Sequence, residues 1–309
     1  MTDINNALNT AHLQFKQQLF DHKLLFNSGV QGIVGRGPQI VDLVQALHNM
    51  VDKESRIDGA VKVAFPPVVP RELLRTVGYM GNFPQLSGSI HSFSGGDKDH
   101  ASLINTVKAG EDWSPHLTQT DVTLTPASCY PLYPTLASNL PDGGVLFDLN
   151  CYCFRHEPSN DPARLMSFEI RENVRAGSPS EVKTWRASWL DRGLGLIENL
   201  GLPAVLDVAS DPFFGRGGRF MQASQKEMEL KFEILVPIWG EAAPTAVASF
   251  NYHQDHFSHL FGIHTADGND AHTACLGFGI DRLVIALIKF HGFDFKQWPA
   301  SVRAQLGLS

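Results

Sequence analysis

Residues 151 to 173 hold the side chains whose types and spacing best suit chemistry. Cys151-Tyr-Cys-Phe-Arg-His-Glu157 reads as a strand, expected over 145 to 157, whose period of two sets Cys151, Cys153, Arg155 and Glu157 on one face. A loop from Pro158 to Ser167 carries Asn160, Asp161 and Arg164, and a return strand over 168 to 174 sets Phe168, Ile170 and Glu172 together, with Arg171 turned to the other face. Such a hairpin offers a guanidinium for a phosphate, a ring for a purine and carboxylates for an exocyclic amine. A hairpin with a surface salt bridge has the same composition. A second group, Gly277-Phe-Gly-Ile-Asp-Arg282, puts an arginine in the first turn of the apolar run Leu283 to Ile288. The helix dipole disfavours a cation there, so an anionic ligand is one reason to keep Arg282; Asp281 offsets the cost without any ligand.

Other candidates have bland readings beside the chemical ones. Cys129 and Cys275 are far apart and form no local zinc signature, so taken alone they read as buried core. Cys151 and Cys153 are two residues apart on one strand face and cannot easily converge on one ion. The histidines at 253, 256, 259, 264 and 272 match no zinc-binding helix and read as hydrogen-bonded or solvated. On the strand around 246 to 257, Ser249, Asn251 and His253 share a face, and over 229 to 238 Lys231 and Glu233 alternate with Leu230, Phe232 and Ile234. The glycines at 29, 32, 35 and 37 have neither a P-loop ending nor a dinucleotide fingerprint and read as a turn.

Taken in order, Arg155-His-Glu157, Phe168 and Gly277-Phe-Gly-Ile-Asp-Arg282 resemble motifs 2 and 3 of the class II aminoacyl-tRNA synthetases, over roughly residues 60 to 309. Asp281 stands where that family usually has Glu, and motif 1 is visible only as the prolines at 66, 67 and 70. The resemblance implies that Arg155 holds the α-phosphate of ATP, Glu157 the adenine amine, Phe168 the adenine ring and Arg282 the γ-phosphate. It further implies ATP contacts at Arg164, Leu165, Lys231 and the stretch Ala246, Val247, Ala248 and Ser249. Many class II enzymes have an acid in that stretch that helps hold Mg2+, and none stands there. With Cys129, Glu172 and Cys275, the chain is most similar to the atypical, zinc-dependent seryl-tRNA synthetases and their short bacterial homologues, the amino acid:[carrier protein] ligases. These three residues are then implied as Zn2+ ligands with one position open for a substrate amine, while Glu172 and Asn251 would touch the amino acid and Ile170 would narrow its pocket. The implied reaction is ATP-dependent activation of glycine or alanine and transfer to the phosphopantetheine thiol of a carrier protein. A minimal seryl-type tRNA-charging enzyme and a non-catalytic sensing paralogue are the alternatives. A homodimer is also implied by the resemblance.

The elements that position these residues follow from periodicity. Helical spacing of Ile4, Leu8, Ala11, Phe15 and Leu19 predicts an amphipathic opening helix over 4 to 26, capped by Asp3. Pro38 opens a second helix, Val61 to Pro70 reads as one strand, and a short helix follows over 71 to 78. Ser178-Pro-Ser-Glu181 is a capping box that starts a helix to about Leu200, a further strand is expected over 203 to 209, and the final helix is expected over 282 to 290. Mixed strands and helices without regular βαβ units predict an α+β fold, an antiparallel β-sheet flanked by helices.

The chain has 309 residues, 43% of them hydrophobic and 18% charged, which excludes global disorder. No composition shift marks a second domain, so a single catalytic domain over 1–309 is expected, with a helical segment over about 1 to 60 and no tRNA-binding domain. Against 32 acids stand 25 bases, a net charge of −7, which disfavours a nucleic-acid partner and favours a protein acceptor. Lys183, Arg186, Arg192, Arg216 and Arg219 are candidate contacts for an acidic carrier. Four cysteines and the lack of a leader or a membrane-length apolar run predict a cytoplasmic protein.

Overall fold

The computed structural model describes residues 2–136, 138–215 and 217–308, the side chains of 2–5 excepted. Helix α1 (Thr2–Asp21) begins at Thr2, so Asp3 lies inside it rather than capping it. It ends before residue 26 because Lys23 takes a positive φ of 56° and the chain turns into strands β1 (Leu25–Asn27) and β2 (Val34–Arg36). This antiparallel hairpin uses the glycine-rich stretch as a turn, with Gly29 and Gly32 at positive φ, and it interrupts the helical segment expected over 1 to 60. Helix α2 (Pro38–Ile57) starts on its proline and buries Ile40, Leu43, Val44 and Leu47.

The strand expected over 61 to 70 is two strands, β3 (Val61–Val63) and β4 (Val68–Pro70), which join different sheets. Pro66 and Pro67 between them lack the N–H groups that a continuous ladder needs. Then come α3 (Arg71–Thr76) and α4 (Tyr79–Asn82), divided by Gly78 at φ 69°. β5 (Ser89–Ser92), α5 (Asp97–Ala109) and β6 (Thr118–Leu124) follow, and β4, β6 and β5 form a three-stranded sheet.

The remaining elements are β7 (Val145–Phe154), β8 (Ser167–Gly177), α6 (Pro179–Asn199), β9 (Val205–Val208), α7 (Gly218–Glu227), β10 (Lys231–Val236), β11 (Thr245–Gln254), α8 (His256–Phe261), β12 (His272–Gly279), α9 (Ile280–His291) and α10 (Ala300–Leu306). Helix α6 begins at the expected capping box, where Ser178 and Glu181 bond each other's backbone. α10 lies beyond the helix expected to be last. The seven-stranded sheet has the order β3-β7-β8-β12-β11-β10-β9, antiparallel apart from β3 beside β7, so the α+β expectation holds.

Alternation along these strands divides the sheet into two sides. Phe250, Leu276 and Phe278 pack with Trp189 of α6 and Leu283 and Leu287 of α9 in one core. Cys275, Val174 and Leu149 face the opposite side, where Leu132, Tyr133 and Phe257 close a second core. The site lies on that second side, backed by a sheet whose other face is sealed by helices. No helix of the described residues is long and apolar enough to cross a membrane.

Candidate active site

The hairpin read from residues 151 to 173 forms in register, with Cys151 opposite Ile170 and Cys153 opposite Phe168. β7 stops at Phe154 rather than at 157. Beyond it, Arg155 N–H still donates to the Met166 carbonyl across the hairpin, but His156 N–H donates to the Leu86 carbonyl, outside the hairpin, and the ladder ends there. Cys151 and Cys153 are buried.

A cavity of about 420 Å³ opens over this hairpin and over β10, β11 and β12. One end of it is lined by Arg155, Glu157, Leu165, Phe168, Arg282 and the stretch Ala246 to Ser249, and Lys231 lines it in the same cross-strand row as Asn251 and Cys275. The Arg155 guanidinium lies 5.5 Å from the Phe168 ring centroid, and its Nε donates to the Pro126 carbonyl at 3.1 Å. Arg282 donates to the Ala246 carbonyl at 2.8 Å and to the Ala163 carbonyl at 3.2 Å, which ties the first turn of α9 to β11 and to the loop after β7. Burial lowers the Arg282 pKa, and the like charges of Arg164 and Arg155 lower it further. Arg164 is half exposed and stands 3.9 Å from Glu157. Arg155, Arg164 and Arg282 converge here, with Glu157 and Glu233 as partly opposing charges, and the guanidiniums suit a phosphate group.

The Lys231 ammonium is engaged by Asp211 at 2.6 Å and by Glu233 at 3.0 Å. Burial opposes its charge, yet the two carboxylates raise its pKa. Asp211 was not singled out from sequence. It sits in the loop after β9, where its carboxylate accepts from Gln225 Nε2 and its backbone N–H donates to Gln225 Oε1, and its only sequence signal is an acid between a short strand and a glycine-rich stretch. Glu233 lies opposite Ser249 in the β10–β11 register, so an acid does reach this region, from the neighbouring strand.

The other end brings together Cys129, Glu172 and Cys275, whose ligand atoms lie within 4.8 Å of one another. All three are buried, and among the described residues no other group of three such donors is this close. β8 and β12 pair Glu172 with Gly277 and Cys275 with Val174, which puts both side chains on the cavity side. Cys129 arrives from the turn after β6, and Ser128 donates its hydroxyl to Glu172. The mutual contact with Cys275 favours the Cys129 thiolate, but burial and Glu172 push its pKa up overall. Contact with Cys129, then burial, pushes Cys275 up strongly, and burial raises Glu172. Three groups that would each carry negative charge are therefore costly together unless a cation joins them. Two thiolates and a carboxylate suit a tetrahedral divalent ion with one open position, so the donors fit zinc.

Around this triad, Asn251 Nδ2 approaches Cys275 Sγ at 3.5 Å, and His253 Nε2 lies 3.6 Å from the same sulfur. Burial lowers the His253 pKa to about 3. Ile170 also lines the cavity. Arg171 points away, into a buried cluster with Asp148 and Asp52, as the strand parity requires.

Sequence reasoning missed Arg36. It reaches from β2 to Asp281 at 2.7 Å and to Glu169 at 2.5 Å, while Asp281 also accepts the Glu169 backbone N–H at 2.7 Å. Only its place at the end of the hairpin, just before Pro38, could have signalled it.

Of the basic residues considered for an acidic partner, Arg192 is engaged by Glu54 and Asp58 and stacks on Trp189. Arg186 donates to the Glu229 and Leu230 carbonyls, and Lys183 stands over Tyr252. Arg219 lies on α7, and Arg216 lies outside the described residues.

No protein-family model matches the chain. It is 42% identical over 288 residues to amino acid–[acyl-carrier-protein] ligase 1 of Bradyrhizobium diazoefficiens, which covers 93% of this chain and 88% of that protein. Ligase 2 of the same organism is also 42% identical, over 93% and 86%. The type-2 serine–tRNA ligase of Methanopyrus kandleri is 26% identical, over 88% of this chain and 57% of that protein. Among solved structures, the M. kandleri seryl-tRNA synthetase in complex with A. aeolicus tRNASec superposes with a TM-score of 0.80 at 22% identity, over 94% of this chain and 59% of that one. Seryl-tRNA synthetase from Pyrococcus horikoshii complexed with ATP gives 0.65 at 17%, over 91% and 58%. Both structural likenesses establish the fold, that of a class II aminoacyl-tRNA synthetase.

Proposed function

The chain belongs to the amino acid–[acyl-carrier-protein] ligases, and from that premise we propose that it activates glycine or alanine with ATP and passes the aminoacyl group to the phosphopantetheine thiol of a carrier protein. The observation that carries this reading is the placement of the Cys129, Glu172 and Cys275 triad and of the Arg155 and Arg282 guanidiniums in one cavity. An amino acid held at the triad by its amine turns its carboxylate toward the arginines, where the α-phosphate of ATP belongs.

Zinc at the triad supplies one open position for the amine and screens the neighbouring thiolates. The chain's own residues do the rest. Phe168 offers a face to the adenine ring, and Glu157 an acceptor for its exocyclic amine. Arg155 and Arg282, fixed by the Pro126, Ala163 and Ala246 carbonyls, stabilise the charge that grows on the phosphate oxygens. The Ala246 to Ser249 stretch of β11 floors the nucleotide, and Arg164 and Leu165 border it. Lys231 acts within its pairing with Asp211 and Glu233, and Glu233, opposite Ser249, would offer a carboxylate to a Mg2+ ion, which would supply charge neutralisation for the phosphates. A carboxylate oxygen of the amino acid attacks the α-phosphorus and pyrophosphate leaves. The carrier thiolate then attacks the adenylate carbonyl, AMP leaves and a thioester forms, the thiol proton passing to solvent. Catalysis here is positioning and charge stabilisation. One domain over the whole chain, working as a homodimer, is the organisation that goes with this reading.

The test is acylation: enzyme, ATP, Mg2+ and labelled glycine, alanine or serine, offered in parallel to a phosphopantetheinylated carrier protein and to bulk tRNA. Label on the carrier that hydroxylamine releases and that requires the free thiol is the expected result. Label on tRNA makes the chain a minimal synthetase, and the absence of amino-acid-dependent ATP–pyrophosphate exchange makes it a sensor.

A further inference from the structure

Against β12, β11 is irregular at one place. Tyr252 pairs with Ala274 and Gln254 with Thr273, so His253 is an extra residue with no partner in β12, and Gln254 takes a positive φ of 54°. A bulge of this kind interrupts the ladder and re-aims a side chain, and a non-glycine residue at positive φ is strain that the surroundings must hold. The side chain at this bulge, on the same strand face as Asn251, is the imidazole whose Nε2 lies 3.6 Å from Cys275 Sγ. Its other nitrogen is pinned from behind: Nδ1 is 3.1 Å from the Thr273 hydroxyl and 3.4 Å from the Tyr133 hydroxyl. The ring meets Phe257 edge-on at 4.9 Å, and Phe257 is itself stacked on Tyr133 at 3.9 Å. The imidazole is therefore held by Thr273, Tyr133 and Phe257, with its remaining edge toward the cavity.

The consequence rests on the reading that the substrate amine binds at the triad. The α-carbon is one bond from that amine, so any substituent on it must fit beside the three ligands. Glu172 and Cys129 are fixed by their role there, Asn251 bonds Cys275 and Ile170 stands over Gly277, so that the wall beside the Cys275 sulfur is the His253 ring edge. We propose that His253, on the cavity face of β11 at its bulge and held by Thr273 and Tyr133, is the specificity-determining residue that limits the amino acid to one with little or no side chain. A packed, immobile wall discriminates one or two extra heavy atoms by roughly 10- to 200-fold.

The experiment compares wild type, His253→Ala and Thr273→Val. For each, dissociation constants are measured for the unreactive glycyl and seryl sulfamoyl-adenosine analogues, with zinc content by elemental analysis and exchange kinetics for glycine, alanine and serine. The expected result is a fall of at least about tenfold in the seryl-to-glycyl ratio of dissociation constants in His253→Ala, with a smaller fall in Thr273→Val, whose imidazole is free to swing. If His253→Ala loses its zinc or does not fold, Thr273→Val decides alone. Ratios within twofold of wild type in the folded, zinc-loaded variants overturn the proposal while glycine exchange by wild type keeps the parent reading intact. Wild type that exchanges with no amino acid overturns both.

Discussion

Cys129, Glu172 and Cys275 are an expensive group to bury without a partner, since each raises the cost of ionising the others. No spacing announces them, because they converge from a turn and two strands that are neighbours only in the folded sheet; resemblance suggested them, and the β8–β12 register places two of them side by side. Arg155, Phe168 and Arg282 were legible from residue type and local order. Glu169 was not, because strand parity assigns it to the face away from the nucleotide. There burial opposes its charge, but His48 at 2.8 Å and Arg36 at 2.5 Å hold its pKa down to about 2, against an ordinary value of 4.5. A carboxyl whose folded pKa is depressed contributes stability that is complete above 4.5 and lost as the pH falls toward 2. Burial raises Asp281 in the same cluster, so its contribution runs the other way. Glu169→Gln should therefore be less stable at neutral pH and lose less between pH 4.5 and 2 than wild type does. Parallel acid limbs in denaturant titrations of the two proteins would contradict this.

The β1–β2 hairpin looks remote in sequence from the nucleotide end, yet it braces that end. Arg36 ties β2 to the return strand at Glu169 and to the first turn of α9 at Asp281, next to Phe168 and Arg282. Gly32 accepts the Met166 N–H at 2.8 Å, and a Cβ there would come within 2.9 Å of the Met166 side chain, so glycine is required for the close approach. Gln31 donates to Asn160 in the same loop. Removing one partner of a buried ion pair costs roughly 3 to 5 kcal/mol, and here the disturbance reaches the nucleotide platform. Arg36→Ala should raise the KM for ATP about tenfold with a smaller change in kcat, and Arg36→Lys should recover part of it. An unchanged KM in pyrophosphate exchange would make Arg36 a support of the fold alone. Elements with strong periodicity or caps, such as α2 and α6, were legible in the sequence. The three-stranded sheet around α5 was not, because its short polar strands and a helix with no buried residue carry no apolar period.

At the scale of the whole molecule, the order of the seven strands could not be read from the chain, because β3 and β12 reach their places through contacts distant in sequence. That order makes the site one unit: β8 carries both Phe168 and Glu172, and β12 with α9 carries both Cys275 and Arg282. A cation bound at one end thus joins the central strands that hold the other end and the turn that carries Cys129. An ion that binds the folded chain and not the unfolded one stabilises it by mass action, roughly 2.7 kcal/mol at a hundredfold excess over Kd. Without the ion, the raised thiol pKa values let Cys129 and Cys275 stay protonated, so the chain should remain folded but weaker. Chelation should therefore lower Tm by about 5 °C or more, with recovery on adding zinc and none on adding magnesium, whose preference is for oxygen ligands. A Tm indifferent to chelator, in protein shown by elemental analysis to have been stripped, would remove the metal from the stability of the sheet and leave the triad a buried thiol cluster.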